Sequence, residues 1–316
     1  MNELTVARIK NGFFPAVPVI VDEAGNLDIP VMQDYIDWLS PQGIAGVAVW
    51  AHTGRGLKLD RSSREKVAEM WRCKLGEKLL ICGVGSQAGT IDDVIDLSLE
   101  MARHARDCGA DVLLAFPPAR LIDRTHHDIV RYHRELTKVG LPILAFYLYE
   151  AGGGIHYDDQ LLRRILELPG VVGLKVATLD SVMRFQEIAQ LMTEFPQKVL
   201  VTGEDRMLGY TLMLGATAAL VGLGGVHTAI QLGMFGAWHQ KDYSTFIRLS
   251  KLVDTLAEVT FVEPMEGYIG RVLYCLSVEG IIPSSATRDP WGPILTAEEK
   301  HRIIEVMDYL CSRERM

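Results

Sequence analysis

Lys175 is the residue whose setting most calls for a chemical explanation. It interrupts the apolar run Val171-Val172-Gly173-Leu174-Lys175-Val176-Ala177, whereas the other lysines fall mostly where helix faces and loops are expected. Burying an ammonium costs on the order of several kcal/mol unless it is paired or neutralised. A barrel strand alternates its side chains between the interior and the helix layer. An inward lysine near the C-terminal end of such a strand lies where barrel enzymes hold their chemistry. Low dielectric there would depress its pKa and supply a neutral amine able to attack a ketone. The iminium formed would be an electron sink, acidifying the neighbouring carbon or stabilising the carbanion left by carbon–carbon cleavage. A lysine at a strand end that snorkels to solvent fits the same run, and the strand pattern by itself leaves the two readings open.

The elements that must position this lysine are short apolar runs alternating with longer amphipathic stretches. Strands are expected at Phe14–Ile20, Gly46–Trp50, Leu79–Gly83, Asp111–Phe116, Pro142–Tyr147, Val171–Val176, Val199–Thr202 and Ala218–Gly222. They lack polar alternation, as do parallel strands covered on both faces. Helices are expected at Ser62–Leu75, ended by Gly76, at Thr90–Cys108, opened by a Thr cap and ended by Gly109, and at Tyr157–Leu168. Eight such units favour an α/β fold of the (β/α)8 TIM-barrel type over an open doubly wound sheet. After Gly222 the pattern is helical only, at Tyr243–Glu258, Met265–Val278 and Ala297–Cys311, broken by Asp289-Pro290-Trp291-Gly292-Pro293. We therefore expect a barrel over 1–228 and a C-terminal helical extension over 229–316, packed as one structural domain.

Composition narrows the function. The 316 residues are 48% apolar and 23% charged with net charge −8, and no segment concentrates Lys and Arg, which argues against nucleic acid or an anionic membrane as partner. Cys73, Cys82, Cys108, Cys275 and Cys311 share no C-x-x-C spacing and read as reduced thiols. The N-terminus lacks the apolar core of a signal peptide and no 18-residue apolar run occurs, so a cytoplasmic protein is expected. Gly83-x-Gly85 and Gly222-x-Gly224-Gly225 do not make a dinucleotide fingerprint. His126-His127 and the other histidines lack metal-ligand spacing. No cofactor and no metal are expected.

Five stretches, in order and spacing, resemble the dihydrodipicolinate synthase/N-acetylneuraminate lyase family over nearly the whole chain. They are Phe14-Pro15-Ala16-Val17-Pro18-Val19 with Gly25-Asn26-Leu27-Asp28, then Gly83-Val84-Gly85-Ser86, Gly173-Leu174-Lys175, Thr202-Gly203-Glu204-Asp205, and Arg288-Asp289-Pro290 with Gly292-Pro293-Ile294-Leu295. The resemblance implies a (β/α)8 barrel, an imine at Lys175, a pyruvate-type small-molecule substrate and a homo-oligomer, tetramer or dimer.

The departures from that family shape the mechanism. Its Gly-Thr-Thr-Gly-Glu type loop reads Ala51-His52-Thr53-Gly54-Arg55 here. Thr53 and Gly54 are expected to offer hydroxyl and N–H groups to a substrate carboxylate. His52 stands in place of a relay threonine and can serve as general acid/base, or be merely a hydrogen-bonded loop histidine. The family's strand-five tyrosine falls on Phe146, which has no hydroxyl. Tyr147 can replace it only if the strand bulges or ends there; otherwise Tyr149, His52 or water moves the proton. Leu220, on strand eight, should line the floor through its backbone. Pro117-Pro118-Ala119-Arg120 contains no tyrosine, and Glu150-Ala151-Gly152-Gly153-Gly154 replaces the arginine for the second substrate, so true dihydrodipicolinate synthase activity is not expected. Arg55 and Arg120 are loop cations that could meet an anionic substrate, although ordinary surface arginines are the commoner case. The expectation is a class I aldolase or dehydratase of a 2-oxo acid. An imine-forming deaminase and a non-catalytic keto-acid-binding barrel are its rivals.

Overall fold

The computed structural model describes residues 2–86, 89–119, 125–179 and 181–314. Eight parallel strands pair in the order β1-β8-β7-β6-β5-β4-β3-β2. They are β1 (Phe13–Pro15), β2 (Gly46–Val49), β3 (Leu79–Val84), β4 (Val112–Ala115), β5 (Ile143–Leu148), β6 (Val171–Ala177), β7 (Val199–Thr202) and β8 (Ala218–Val221). A parallel bridge between Ala16 and Ala48 brings the free edges of β1 and β2 together, so the sheet is a (β/α)8 barrel. Strand β1 is shorter than Phe14–Ile20, and Pro18 beyond it has no N–H to give a ladder.

Helix α1 (Asn2–Ile9) precedes the barrel, and its Ile9 joins the barrel-interior apolar cluster. Around the strands run α2 (Ile29–Leu39), α3 (Arg61–Leu75), α4 (Ile91–Asp107), α5 (His126–Thr137), α6 (Asp159–Leu166), α7 (Val182–Met192), α8 (Leu208–Met213) and α9 (Thr228–His239). Most begin where a side chain can satisfy an orphan N–H: Asp28, Asp60, Thr90, Thr125, Asp158 and Ser181 each accept from a first-turn amide. Helices α10 (Tyr243–Thr260), α11 (Tyr268–Val278) and α12 (Ala297–Glu314) follow. Among the described residues no helix is long and apolar enough to cross a membrane.

Two apolar layers result. Ile143, Ala145 and Tyr147 of β5 face the helices, while Leu144, Phe146 and Leu148 fill the barrel. Strand β6 departs from this alternation once. Ile143 pairs with Val171 but Leu144 pairs with Gly173, so Val172 is the extra residue of a bulge. Val171 packs outward, yet Ala177, which strict alternation would put on the same face, packs inward. The bulge therefore re-phases the strand before Lys175 and turns the lysine into the barrel.

Candidate active site

Lys175 pairs across the sheet with Phe146, and its Nζ lies 4.0 Å from the centre of the Phe146 ring. The residue is 6% exposed. On the other side is Gly203, just past β7, where a Cβ would stand 2.5 Å from Lys175 Cε. The lysine thus runs between an aromatic face and bare backbone, with its amine at the C-terminal mouth. Burial pulls its pKa down to about 8; Asp205 first, then Glu204, pull the other way.

These two acids end β7. Glu204 is fully buried and accepts hydrogen bonds from Thr178 Oγ1 (2.9 Å) and from the N–H groups of Thr178 and Leu179 (2.8 Å for the latter). It anchors the turn that leaves β6, where Leu179 holds a left-handed φ of 52°. Asp205 accepts from the Leu223 N–H at 2.7 Å and so ties β7 to the turn after β8. Burial raises the Asp205 carboxyl, and the Lys175 charge opposes the rise. Lys175 and Asp205 titrate as a pair, each depending on the other's charge.

The loop after β2 supplies the polar wall. Thr53, 3% exposed, has Oγ1 3.0 Å from Tyr268 Oη, and His52 Nδ1 is 3.1 Å from the same oxygen. His52 Nε2 lies 3.3 Å from Glu266 Oε1. The hydrogen bond from His52 and the charge of Arg55 hold the Glu266 carboxyl down to about 2, against burial. Gly54 sits behind this wall, where a Cβ would come within 3.0 Å of the Val17 carbonyl. It permits the tight turn without lining the cavity. Arg55 points to the C-terminal segment: its Nη1 donates to Glu266 (2.8 Å) and its Nη2 to Asp289 (2.6 Å). It is a clamp between the loop and that segment, with its guanidinium held by two carboxylates. Arg120 lies outside the described residues.

Tyr147 lies away from this wall. The chain bulges on β6, not on β5, so alternation sends Tyr147 into the helix layer. There its hydroxyl is 3.1 Å from His156 Nδ1, and its ring packs edge-on against Tyr157 at 6.0 Å. Tyr149, one step past the strand, does line the cavity around Lys175, together with Phe146, Leu148, Ala177, Phe261 and Tyr268. Leu220 is fully buried in the barrel-interior cluster and is not among the residues lining this cavity. The space beside Lys175 is about 40 Å³. A recess of about 270 Å³, walled by Phe116, Pro117 and Gly152–Gly154, shares His52 and Leu148 with it.

Sequence reasoning missed Tyr268, Phe261 and Glu266. All three come from the C-terminal extension, where apolar periodicity announces burial but not which buried ring faces the barrel mouth. Asp205 closes the strand-end run Thr202-Gly203-Glu204-Asp205, where its type alone assigns it no role.

The chain matches the model of the Dihydrodipicolinate synthetase family over residues 10–308. It is 30% identical to the N-acetylneuraminate lyase of Homo sapiens over 286 residues, covering 88% of this chain and 86% of that one. Among solved structures, the sialic acid aldolase of Ruminococcus gnavus superposes with a TM-score of 0.83 at 20% identity, covering 98% of this chain and 99% of that one. YagE of Escherichia coli K12, a dihydrodipicolinic acid synthase family protein in complex with pyruvate, gives 0.83 at 19% identity, covering 95% and 98%. These two structures speak for the fold.

Proposed function

The chain belongs to the dihydrodipicolinate synthetase family, whose members are lyases of the class I aldolase type, and from that premise we propose that it forms a Schiff base between Lys175 and pyruvate or a related 2-oxo acid. The observation that carries this reading is a lysine only 6% exposed at the C-terminal end of a barrel strand, with a pKa drawn down to about 8 and a cavity at its amine. A lysine serving only solubility has no reason to be turned inward by a bulge and flanked by a glycine that makes room for it.

In the proposed course the substrate carboxylate is held by the Thr53 hydroxyl and neighbouring backbone N–H groups of the loop that Gly54 allows to turn. The neutral amine of Lys175 adds to the 2-oxo carbon, and loss of water leaves the iminium. Electrons from the C3–C4 bond, or from a C3–H bond, then flow into it. Cleavage of C3–C4 expels an aldehyde once a base takes the C4 hydroxyl proton, and His52 is that base. Phe146 and Tyr149 wall the apolar side, and Leu220 packs beneath. Neither Tyr147 nor Arg55 takes part. A homo-oligomer, tetramer or dimer, in the reducing cytoplasm completes the proposal; the exposed thiol of Cys73 suits such a compartment.

Carbon–carbon cleavage and loss of water or ammonia share this imine, and the products separate them. Purified protein is incubated with a panel of 4-hydroxy-2-oxo and 2-oxo-3-deoxy acids while pyruvate, aldehyde and ammonia are measured. Pyruvate with an aldehyde identifies an aldolase. A dehydrated or deaminated 2-oxo acid without aldehyde identifies the alternative. Turnover of no acid in the panel contradicts the enzymatic reading and leaves a keto-acid-binding barrel.

A further inference from the structure

The geometry points to Tyr268, on the C-terminal helix α11, as the phenol that carries protons to and from the substrate oxygen at Lys175, the hydroxyl that strand β5 does not supply. This inference rests on the Schiff-base reading above and adds a residue to it.

Imine formation needs an acid above the amine. The substrate oxygen has to be protonated twice before it leaves as water, and Phe146, Leu148 and Ala177 offer no proton; Tyr149, Asp205 and Tyr268 line the cavity too, and it is the Tyr268 hydroxyl that is joined to His52 and Thr53. Phe146 stands directly across the sheet from Lys175 and carries no oxygen. Tyr268 lines the same cavity as Lys175, His52 and Thr53. Its hydroxyl sits 3.0 Å from Thr53 Oγ1 and 3.1 Å from His52 Nδ1. Glu266 lies 3.3 Å beyond the far nitrogen of His52. Carboxylate, imidazole, phenol and hydroxyl therefore form one hydrogen-bonded chain that ends at the cavity. The ring is fixed by stacking on Phe261 with centroids 4.6 Å apart, and it lies nearly parallel to His52 at 5.9 Å. Burial keeps the phenol protonated, as a donor must be.

The proton count closes. Addition of the Lys175 amine to the 2-oxo carbon gives an alkoxide and an ammonium. Tyr268 gives its proton to the alkoxide and regains one from the ammonium, leaving a neutral carbinolamine. Tyr268 then protonates the hydroxyl, which leaves as water while the nitrogen lone pair closes the C=N bond. The phenolate takes a proton from the His52 imidazolium, whose charge Glu266 had balanced. One amine, one ketone and one proton have become an iminium and water. His52 is left neutral, ready to act as the base of the next step.

The test is rapid-quench borohydride trapping with pyruvate on wild type, Tyr268→Phe and Lys175→Ala, with melting temperatures and steady-state kinetics alongside. Tyr268→Phe keeps the ring and its stacking on Phe261. Imine formation in this variant is expected to slow by about 10²–10⁴-fold, with kcat falling and KM and melting temperature nearly unchanged. A merely structural tyrosine would instead move the melting temperature. A trapping rate within about threefold of wild type overturns the role of Tyr268 and leaves the lysine reading standing. An untrappable wild type removes both. Should Tyr268→Phe not fold, His52→Gln decides. It cuts the chain one link earlier, and the inference then requires a slowed second protonation with carbinolamine accumulating; unchanged kinetics refute it.

Discussion

Gly203→Ala is the substitution that separates the site from the fold most cleanly. The new methyl would stand 2.5 Å from Lys175 Cε, 3.1 Å from the Val176 carbonyl oxygen and 3.3 Å from Ala177 Cβ. Carbon–carbon contacts relax near ~3.5 Å, so the lysine tip must withdraw by about 1 Å. The backbone around Gly203 can yield a few tenths of an ångström, and overpacking of this kind costs about 1–3 kcal/mol. The effect on chemistry is sharper. A misplacement of about 1 Å in a reacting group lowers rate on the order of 10²-fold, which is about 2.7 kcal/mol of barrel-mouth positioning. Urea unfolding and kcat/KM are measured on the same preparation. The expected result is a folded protein with modestly reduced stability and activity down about a hundredfold. Activity within about threefold of wild type would show that Lys175 does not work from this position.

Other predictions follow from the same geometry. Because burial holds the Lys175 pKa down to about 8 and the amine reacts only when neutral, the rising limb of kcat/KM should lie near pH 8 instead of at the ordinary lysine value. Asp205 opposes that shift, so Asp205→Asn should lower the pKa further and move the rising limb of the pH profile to lower pH. Tyr147→Phe removes a hydroxyl bonded to His156 and Arg184 in the helix layer; turnover should stay within about twofold and stability fall by about 1–2 kcal/mol, read by enzyme assay and chemical denaturation. Arg271 is fully buried, donates to the carbonyls of Thr260, Val262 and Pro264, and pairs with Glu299 at 2.8 Å. It fixes the segment that carries Phe261 to the cavity. Arg271→Ala should cost about 3 kcal/mol in urea unfolding and reduce activity along with stability.

The barrel was legible because its strands are covered on both faces and read as apolar runs: Val199–Thr202 was placed to the residue, and most others within one or two. Lys175 stood out for the same reason, since a cation in such a run has to be explained. What the sequence concealed was phase. Alternation correctly set Phe146 and Tyr147 on opposite faces, but the bulge lies on β6 at Val172, where no residue type announces it. The extra residue decides that the lysine faces in. Arg55 illustrates another limit. A loop cation near the mouth invites a substrate role, yet Asp289 and Glu266, more than 200 positions away, already hold it. Tyr268 was illegible for a similar reason. Its part depends on how the C-terminal segment folds back over the barrel, a long-range contact that neither periodicity nor local motif encodes.

The most direct test of the account is borohydride reduction in the presence of pyruvate and other 2-oxo acids, followed by peptide mass mapping. The account predicts a reduced adduct on the peptide bearing Lys175, mapped to that residue and absent in Lys175→Ala. No adduct with any acid, or an adduct on another lysine that persists in Lys175→Ala, would contradict it.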